Sequence, residues 1–391
     1  MGWGRIMGKG MDKMMDKMKK ILILLTVILT GNLVFAQIQV KSEENKSIVN
    51  TLTNLSKEQA AIIFNQTKDF PNKTQLSIAF IENRVTKFYG IIKENDTVKF
   101  INNKDMIFEI GSVSKVFTAT LLANAVLNNK IKIDDKINTF FKFTFKNNIE
   151  LDFKSLANHT SGLERLPSNL DLSETNLSNP YKEYDEAMLN SYLKDELKLN
   201  HQTGEQYEYS NLGMGLLGYA LGVMQKSNYK KILKDEIFYK YKMTGSFTCA
   251  CESEVETGLV RGLDNDGNEV SNWDFDVLSG AGGILSTVTD LSKFVNAHFN
   301  PENRELELTR MPTFTVNEKM KIGLGWHIVK TESGKEIYWH NGGTGGYSSS
   351  IAMDTELKNG IIILSNVSAF NPDMRNIDNL CFSLMKNLEK K

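Results

Sequence analysis

Proline is scarce, six in 391 residues, and cysteine scarcer still, with three. So little proline excludes a collagen-like chain, and 41% hydrophobic residues exclude a disordered one. Three cysteines cannot all pair within one chain. Cys249 and Cys251 are two apart, a poor separation for a bridge and no paired CxxC zinc pattern, so structural thiols or one long-range pair with Cys381 are expected, and no metal site. An excess of one charge is missing too: 46 Lys+Arg face 47 Asp+Glu. Without a Lys/Arg stripe to neutralise phosphates, nucleic acid is excluded as a dedicated partner. The five histidines, His159, His201, His298, His327 and His340, form no HExxH, and no GxSxG elbow is present.

Long apolar runs are also few. The one from Ile21 to Ile28 follows Lys19 and Lys20 and is followed by Val34-Phe35-Ala36, the order of a secretory signal peptide cleaved near Ala36. It is shorter than the roughly 20 residues that span a bilayer, so secretion to the periplasm without a stable membrane anchor is expected. No Cys near the cleavage site offers a lipid attachment point. Met18 is the expected start, with residues 1–17 as upstream sequence and 37–391 as the catalytic domain. Residues 1–36 hold six basic and two acidic residues, so near-neutrality overall conceals a more acidic exported chain.

Sheet signals lie at both ends of that chain and helical ones between. Ser56 and Gln59 have capping-box spacing ahead of a helix from Lys57, and Leu76–Ile92 reads as two strands around Glu82-Asn83-Arg84. From Val113 to Leu127 apolar residues keep helical spacing, predicting a buried helix. From Lys321 onward, GLGWHIV, EIYWHNGG, GYSSSIAM and GIIILSN are spaced as successive antiparallel strands, and a helix closes the chain from about 374 to 388. A sheet lobe over about 57–130 and 276–391, interrupted by a helical lobe over about 131–275, follows.

Three segments carry chemistry. Ser112-Val113-Ser114-Lys115 places a hydroxyl and an amine on one helical face at the start of the buried helix; such a Lys activates the Ser only if part of it is neutral, which burial and a helix N-terminus both promote. Tyr209-Ser210-Asn211 offers a phenol for acid-base work and an amide for a substrate amide. Within the same stretch Gly213, Gly215 and Gly218 match a dinucleotide fingerprint, but EQYEYSN ahead of them is no apolar strand, so they are read as close-packing glycines. His340-Asn341-Gly342-Gly343 lies between strand-like runs, where glycines let backbone N–H groups approach a ligand.

Together FEIGSVSKVFTATLLA, LANHTSGL, YSNLGMGLLGYALG, SGAGGILSTVTDLSKF and WHNGGTGGYSSS resemble the class C β-lactamases, D-Ala-D-Ala carboxypeptidases and related serine esterases over about residues 60–370. The resemblance implies an α/β (α+β) β-lactamase/transpeptidase-like fold, an antiparallel sheet flanked by helices plus a mainly helical domain. It implies Ser112 as acylated nucleophile, Lys115 as its activator, Tyr209 as shared base and proton donor, and Asn211 as ligand for the substrate's side-chain amide. His340 and Asn341 stand where class C β-lactamases carry Lys and Thr of a Lys-Thr-Gly motif; His340 is expected among the catalytic residues, Asn341, Gly342 and Gly343 are expected to bind substrate, and the N–H groups of Ser112 and Gly343 to hold the oxyanion. The expected substrate is a small molecule, first a β-lactam, otherwise a D-Ala-D-Ala peptide or ester; acylation without turnover is the third possibility. No residue pattern requires a cofactor. His159, in HTSGL, is read as shaping a loop.

Overall fold

The computed structural model describes residues 55–172 and 177–389. The leader expected over residues 1–36 lies outside them. Helix α1 (Lys57–Thr67) begins with Ser56 accepting the Gln59 N–H while the Gln59 side chain accepts the N–H of Ser56, the reciprocal cap that its spacing predicts.

Strands β1 (Gln75–Glu82), β2 (Val85–Glu94) and β3 (Thr97–Ile101) follow as two hairpins. Each turn carries two residues at positive φ, Asn83 and Arg84 in the first and Asn95 and Asp96 in the second, the backbone of two-residue turns that match strand twist. After the short β4 (Phe108–Glu109) comes α2 (Ser114–Leu127). Val116, Phe117, Leu121 and Leu122 of α2 are fully buried, each contributing about 1.5–3 kcal/mol relative to exposure. The chain then builds short helices at Phe153–Ala157, Glu186–Ser191 and Tyr229–Leu233 and the longer α3 (Asn211–Met224). It rejoins β4 through β5 (Leu285–Ser286), which leads into α4 (Val288–His298).

The remaining strands are β6 (Phe314–Asn317), β7 (Met320–Ile322), β8 (His327–Lys330), β9 (Glu336–Gly343), β10 (Ser348–Asp354) and β11 (Asn359–Ser365), before α5 (Arg375–Glu389) closes the chain. Nine strands form one antiparallel sheet in the order β3-β2-β1-β11-β10-β9-β8-β7-β6. The chain's two ends thus meet at β1 and β11, where Leu76 pairs with Ser365 and Ile81 with Gly360. Ile361, Ile362, Ile363 and Leu364 of β11 are all buried, because helices cover both faces of this central strand. α1 and α5 lie together on one face; α4, within the main core shared with α2 and α3, lies on the other. This is the expected α+β architecture. Among the described residues no helix is long and apolar enough to cross a membrane.

The glycines of α3 act as packing residues. A methyl on Gly215 would lie 2.5 Å from Leu278 Cδ2, and one on Gly218 would lie 3.0 Å from Gly280 Cα. Close approach of the segment Ser279–Gly282 follows, and it has a chemical consequence below.

The cysteines differ from expectation. Cys249 and Cys251 are joined to each other, and Cys381 is a free, buried thiol. The turn through Ala250 brings the two Cα atoms to 5.1 Å, within the range a disulfide requires, whereas Cys381 is held under the sheet with its Sγ against the Ile361 carbonyl. Spacing along the chain could not show that turn.

Candidate active site

Gly111 sets the geometry. At φ +50°, it lets the chain turn from β4 into the short helical segment that leads to α2, and a methyl there would lie 2.5 Å from Gly343 N. Ser112 is thereby pressed against the end of β9: a methyl on Gly342 would lie 2.1 Å from the Ile110 carbonyl and 2.8 Å from Ser112 N. Two glycines in register bring two backbones closer than any side chain permits.

One turn on, Lys115 is fully buried. Its amine donates to Ser112 Oγ at 3.1 Å, to Asn211 Oδ1 at 2.9 Å and to the Ala281 carbonyl at 2.6 Å. The last bond depends on the glycine-mediated packing of Ser279–Gly282 onto α3. Burial, with the Arg165 guanidinium adding to it, holds the Lys115 pKa well below the usual lysine range, since removing a charge from water is costly and a neighbouring cation makes it costlier.

Tyr209 lies beside this amine, its ring centroid 4.8 Å from Lys115 Nζ. Burial pushes its phenol up to about 12, partly offset by Arg165 and the Ser112 hydroxyl. The resting pair at neutral pH is therefore an amine that loses its proton readily beside a protonated phenol. Behind Tyr209 stacks His159, centroids 4.4 Å apart. His159 has φ +60°, its Nδ1 accepts the Ser210 N–H at 3.2 Å and its carbonyl accepts the Glu208 N–H at 2.8 Å. It shapes the loop and backs the tyrosine. Ser210 caps α3 by accepting the Gly213 N–H at 2.8 Å while donating to the Glu164 carbonyl at 2.6 Å. HTSGLER and YSN are thus one clasp.

Strand β9 alternates as a strand must. On one face, His340 and Gly342 look toward Tyr209 and Ser112; the His340 and Tyr209 ring centroids are 6.5 Å apart. On the other, Asn341 and its cross-strand partner Ser350 both donate to Asp378 of α5, at 2.7 and 2.8 Å. The geometry does not support the substrate contact expected of the Asn341 side chain: it lies on the face away from Ser112 and is engaged there by Asp378. Nor does His340 supply the cation that the Lys of a Lys-Thr-Gly motif would. The ring is fully buried, its Nδ1 meets the Asn341 carbonyl, and burial together with His327 and Lys115 holds its pKa well below the ordinary histidine value.

Several groups at the site escaped sequence reasoning. His327, at the start of β8, has its ring 5.1 Å from that of His340, and its Nε2 meets the Tyr207 hydroxyl at 3.0 Å. The Tyr181 hydroxyl accepts from Asn211 Nδ2 at 3.4 Å, and its ring stacks on Phe275. Arg165 places its guanidinium carbon 5.2 Å from the Tyr209 ring centre. Only its position two residues after HTSGL, close to the YSN clasp in space but 44 residues away from Tyr209 in sequence, would have marked it.

The profile of the Beta-lactamase family matches residues 83–380, which includes every residue just described. The chain belongs to the Beta-lactamase family. A β-lactamase of Pseudomonas fluorescens is 24% identical over 328 residues, 74% of this chain and 88% of that protein. Protein flp of Staphylococcus aureus (strain MRSA252) is 24% identical over 335 residues, 81% of this chain, which spans only 64% of flp. Among solved structures, a penicillin-binding protein homologue from Pyrococcus abyssi, described as octameric, superposes with a TM-score of 0.70 at 21% identity, covering 85% of this chain and 77% of that one. A β-lactamase/D-alanine carboxypeptidase from Pseudomonas syringae gives 0.69 at 20%, covering 87% and 98%. At these identities the structural likeness establishes the β-lactamase/transpeptidase fold. What the chain acts on has to be argued from its own site.

Proposed function

We propose that this member of the Beta-lactamase family is an exported serine hydrolase that opens β-lactam amides through an acyl-Ser112 intermediate. One observation carries the reading: a fully buried Lys115 amine, depressed in pKa, donates to the Ser112 hydroxyl at 3.1 Å. A lysine kept out of water and held against a serine is a base waiting for that serine's proton.

In acylation, Lys115 takes the proton as Ser112 Oγ bonds the carbonyl carbon. The oxyanion is held by the N–H groups of Ser112 and Gly343. The amide C–N bond then breaks as the Tyr209 hydroxyl gives its proton to the leaving nitrogen, and the Lys115 ammonium returns one to the phenolate. In deacylation, Lys115 takes a proton from the attacking water and hands it to Ser112 Oγ as the acyl group leaves. Asn211 holds the acyl-side amide of the substrate while its Oδ1 steadies Lys115.

A second reading, hydrolysis of esters or D-Ala-D-Ala peptides, is favoured by the neutral, buried His340. At that position it offers no fixed cation for the carboxylate of a penicillin or cephalosporin. Steady-state kinetics on a cephalosporin, a penicillin, a D-Ala-D-Ala peptide and a short ester separate the two. Fast β-lactam turnover supports the first, and ester or peptide turnover with slow β-lactam release the second; a stable Ser112 adduct with no turnover of any of them overturns both. Export through the leader ending near Ala36 is checked by N-terminal sequencing of the protein recovered outside the cytoplasm.

A further inference from the structure

Arg165 has a cation's position at the site and, among the described residues, no ion-pair partner. Its backbone is fixed by the start of α3: the N–H groups of Asn211 and Leu212 both donate to the Arg165 carbonyl, at 2.9 and 3.1 Å. Just before it, Gly162, at φ +79°, packs where a methyl would lie 2.3 Å from the His201 carbonyl, so the loop has little freedom. The guanidinium is thereby held over the Tyr209 ring, and its charge acts on Lys115, Tyr181, Tyr207 and Tyr209. Arg165 Nε is buried and has no hydrogen-bond partner. Among the described residues no ion pair includes it; the adjacent Glu164 is paired instead with Lys198 at 2.7 Å. The residue is only half-buried, so its outer nitrogens remain within reach of a ligand.

A guanidinium that lowers the pKa of the catalytic amine, leaves a buried donor unsatisfied and has no counter-ion among the described residues is costly to keep. An incoming anion would relieve all three, and a carboxylate matches the planar fork of an arginine. Arg165 also shares its clasp with Asn211, whose amide lies with Tyr181 on the side assigned to the acyl group.

We propose that Arg165 binds a carboxylate on the acyl half of the substrate, the half that stays on Ser112, so that this enzyme selects acyl groups with an anionic end. The inference rests on the acyl-serine reading above. Its test uses 4-nitrophenyl esters with a common leaving group, the neutral butyrate against the hemiglutarate, each rate corrected for the same protein carrying Ser112→Ala. The wild type is expected to favour the hemiglutarate in kcat/KM by roughly 10-fold or more, and Arg165→Ala to cut that preference roughly 10- to 100-fold, with Arg165→Lys restoring part of it. Because both esters depend on the same base, the ratio cancels any effect of Arg165 on Lys115. Raising ionic strength should also lower the wild-type preference.

If Arg165→Ala leaves the ratio unchanged while both esters turn over, the Arg165 assignment fails and the acyl-serine reading stands. If the substitution instead removes a preference for a butyryl ester whose carboxylate is on the phenol, the assignment to the acyl half is overturned. If mass spectrometry finds no acylation of Ser112 by any of these esters, it is the acyl-serine reading that falls.

Discussion

The two walls of the cleft around Ser112 differ in charge. On the helical wall stand Lys115 and Arg165, both within 5.2 Å of the Tyr209 ring centre. The sheet wall, formed by β9, presents a neutral His340 and two glycines. The difference separates chemistry from shape. In the mechanism proposed above, the helical wall supplies the groups that move protons and read charge, and the sheet wall the backbone N–H groups, at a distance only glycine allows. Substitutions on the two walls should therefore fail in different ways.

The largest effect belongs to the nucleophile. Ser112→Ala should lower kcat by at least about 10⁴-fold and abolish the covalent adduct with a labelled penicillin; an adduct that persists places the nucleophile elsewhere. Next comes the base. Lys115→Met should cost about 10²- to 10⁴-fold. In the wild type, activity should rise with pH through the depressed Lys115 pKa, because only the neutral amine accepts the serine proton. The acidic limb of the kcat/KM profile measures this, and its persistence in Lys115→Met would assign it to another group.

On the sheet wall, Gly342→Ala puts a methyl 2.1 Å from the Ile110 carbonyl and must push β9 away from Ser112. A loss of about 10²- to 10³-fold in kcat, the cost of a misplaced oxyanion donor, is expected with little change in KM. A change confined to KM would mean that this wall binds substrate rather than stabilising the transition state.

Much of this organisation is written locally. The reciprocal cap of Ser56 and Gln59, the hairpin around Asn83 and Arg84 and the four-residue apolar run of β11 are short-range patterns, and each forms as its pattern predicts. Ser112 and Lys115 are legible for the same reason, three residues apart on one helix. Asn341 was legible too, by a rule applied one step short: in a strand, the neighbour of a site-facing His340 faces away. Arg165 and the Cys249–Cys251 bridge are of another kind. Each depends on where a loop is held by segments far away in sequence, or on the turn of a single residue, and neither leaves a periodic signal.

Smaller effects test whether the sheet wall is neutral. A histidine whose folded pKa is depressed carries no charge near pH 7, so KM should change by less than about twofold from pH 6 to 8 on account of His340. The sign for stability is opposite to that of a paired histidine. His340 contributes fully above the unfolded value of about 6.5, and that contribution is lost as pH falls through the depressed folded pKa, since the unfolded chain then binds the proton more readily. Thermal unfolding should accordingly move to lower temperature below about pH 6.5, and less so in His340→Asn. A KM that climbs through pH 6 to 8 in the wild type but not in the variant would restore a cation to this wall.

The smallest effect on catalysis should come from the other face of β9. Asn341→Ala removes the donor to Asp378 and touches nothing beside Ser112, so kcat/KM should move by less than about threefold, while leaving a buried carboxylate short of a partner costs about 1–3 kcal/mol of stability. Burial has already raised Asp378 to about 6. Above that pH the group is ionised and needs Asn341 most; below it, a protonated Asp378 loses less. The destabilisation of Asn341→Ala, followed by denaturant unfolding, should therefore be greater at pH 8 than at pH 5. A loss of activity larger than the loss of stability would instead put the Asn341 side chain in the cleft.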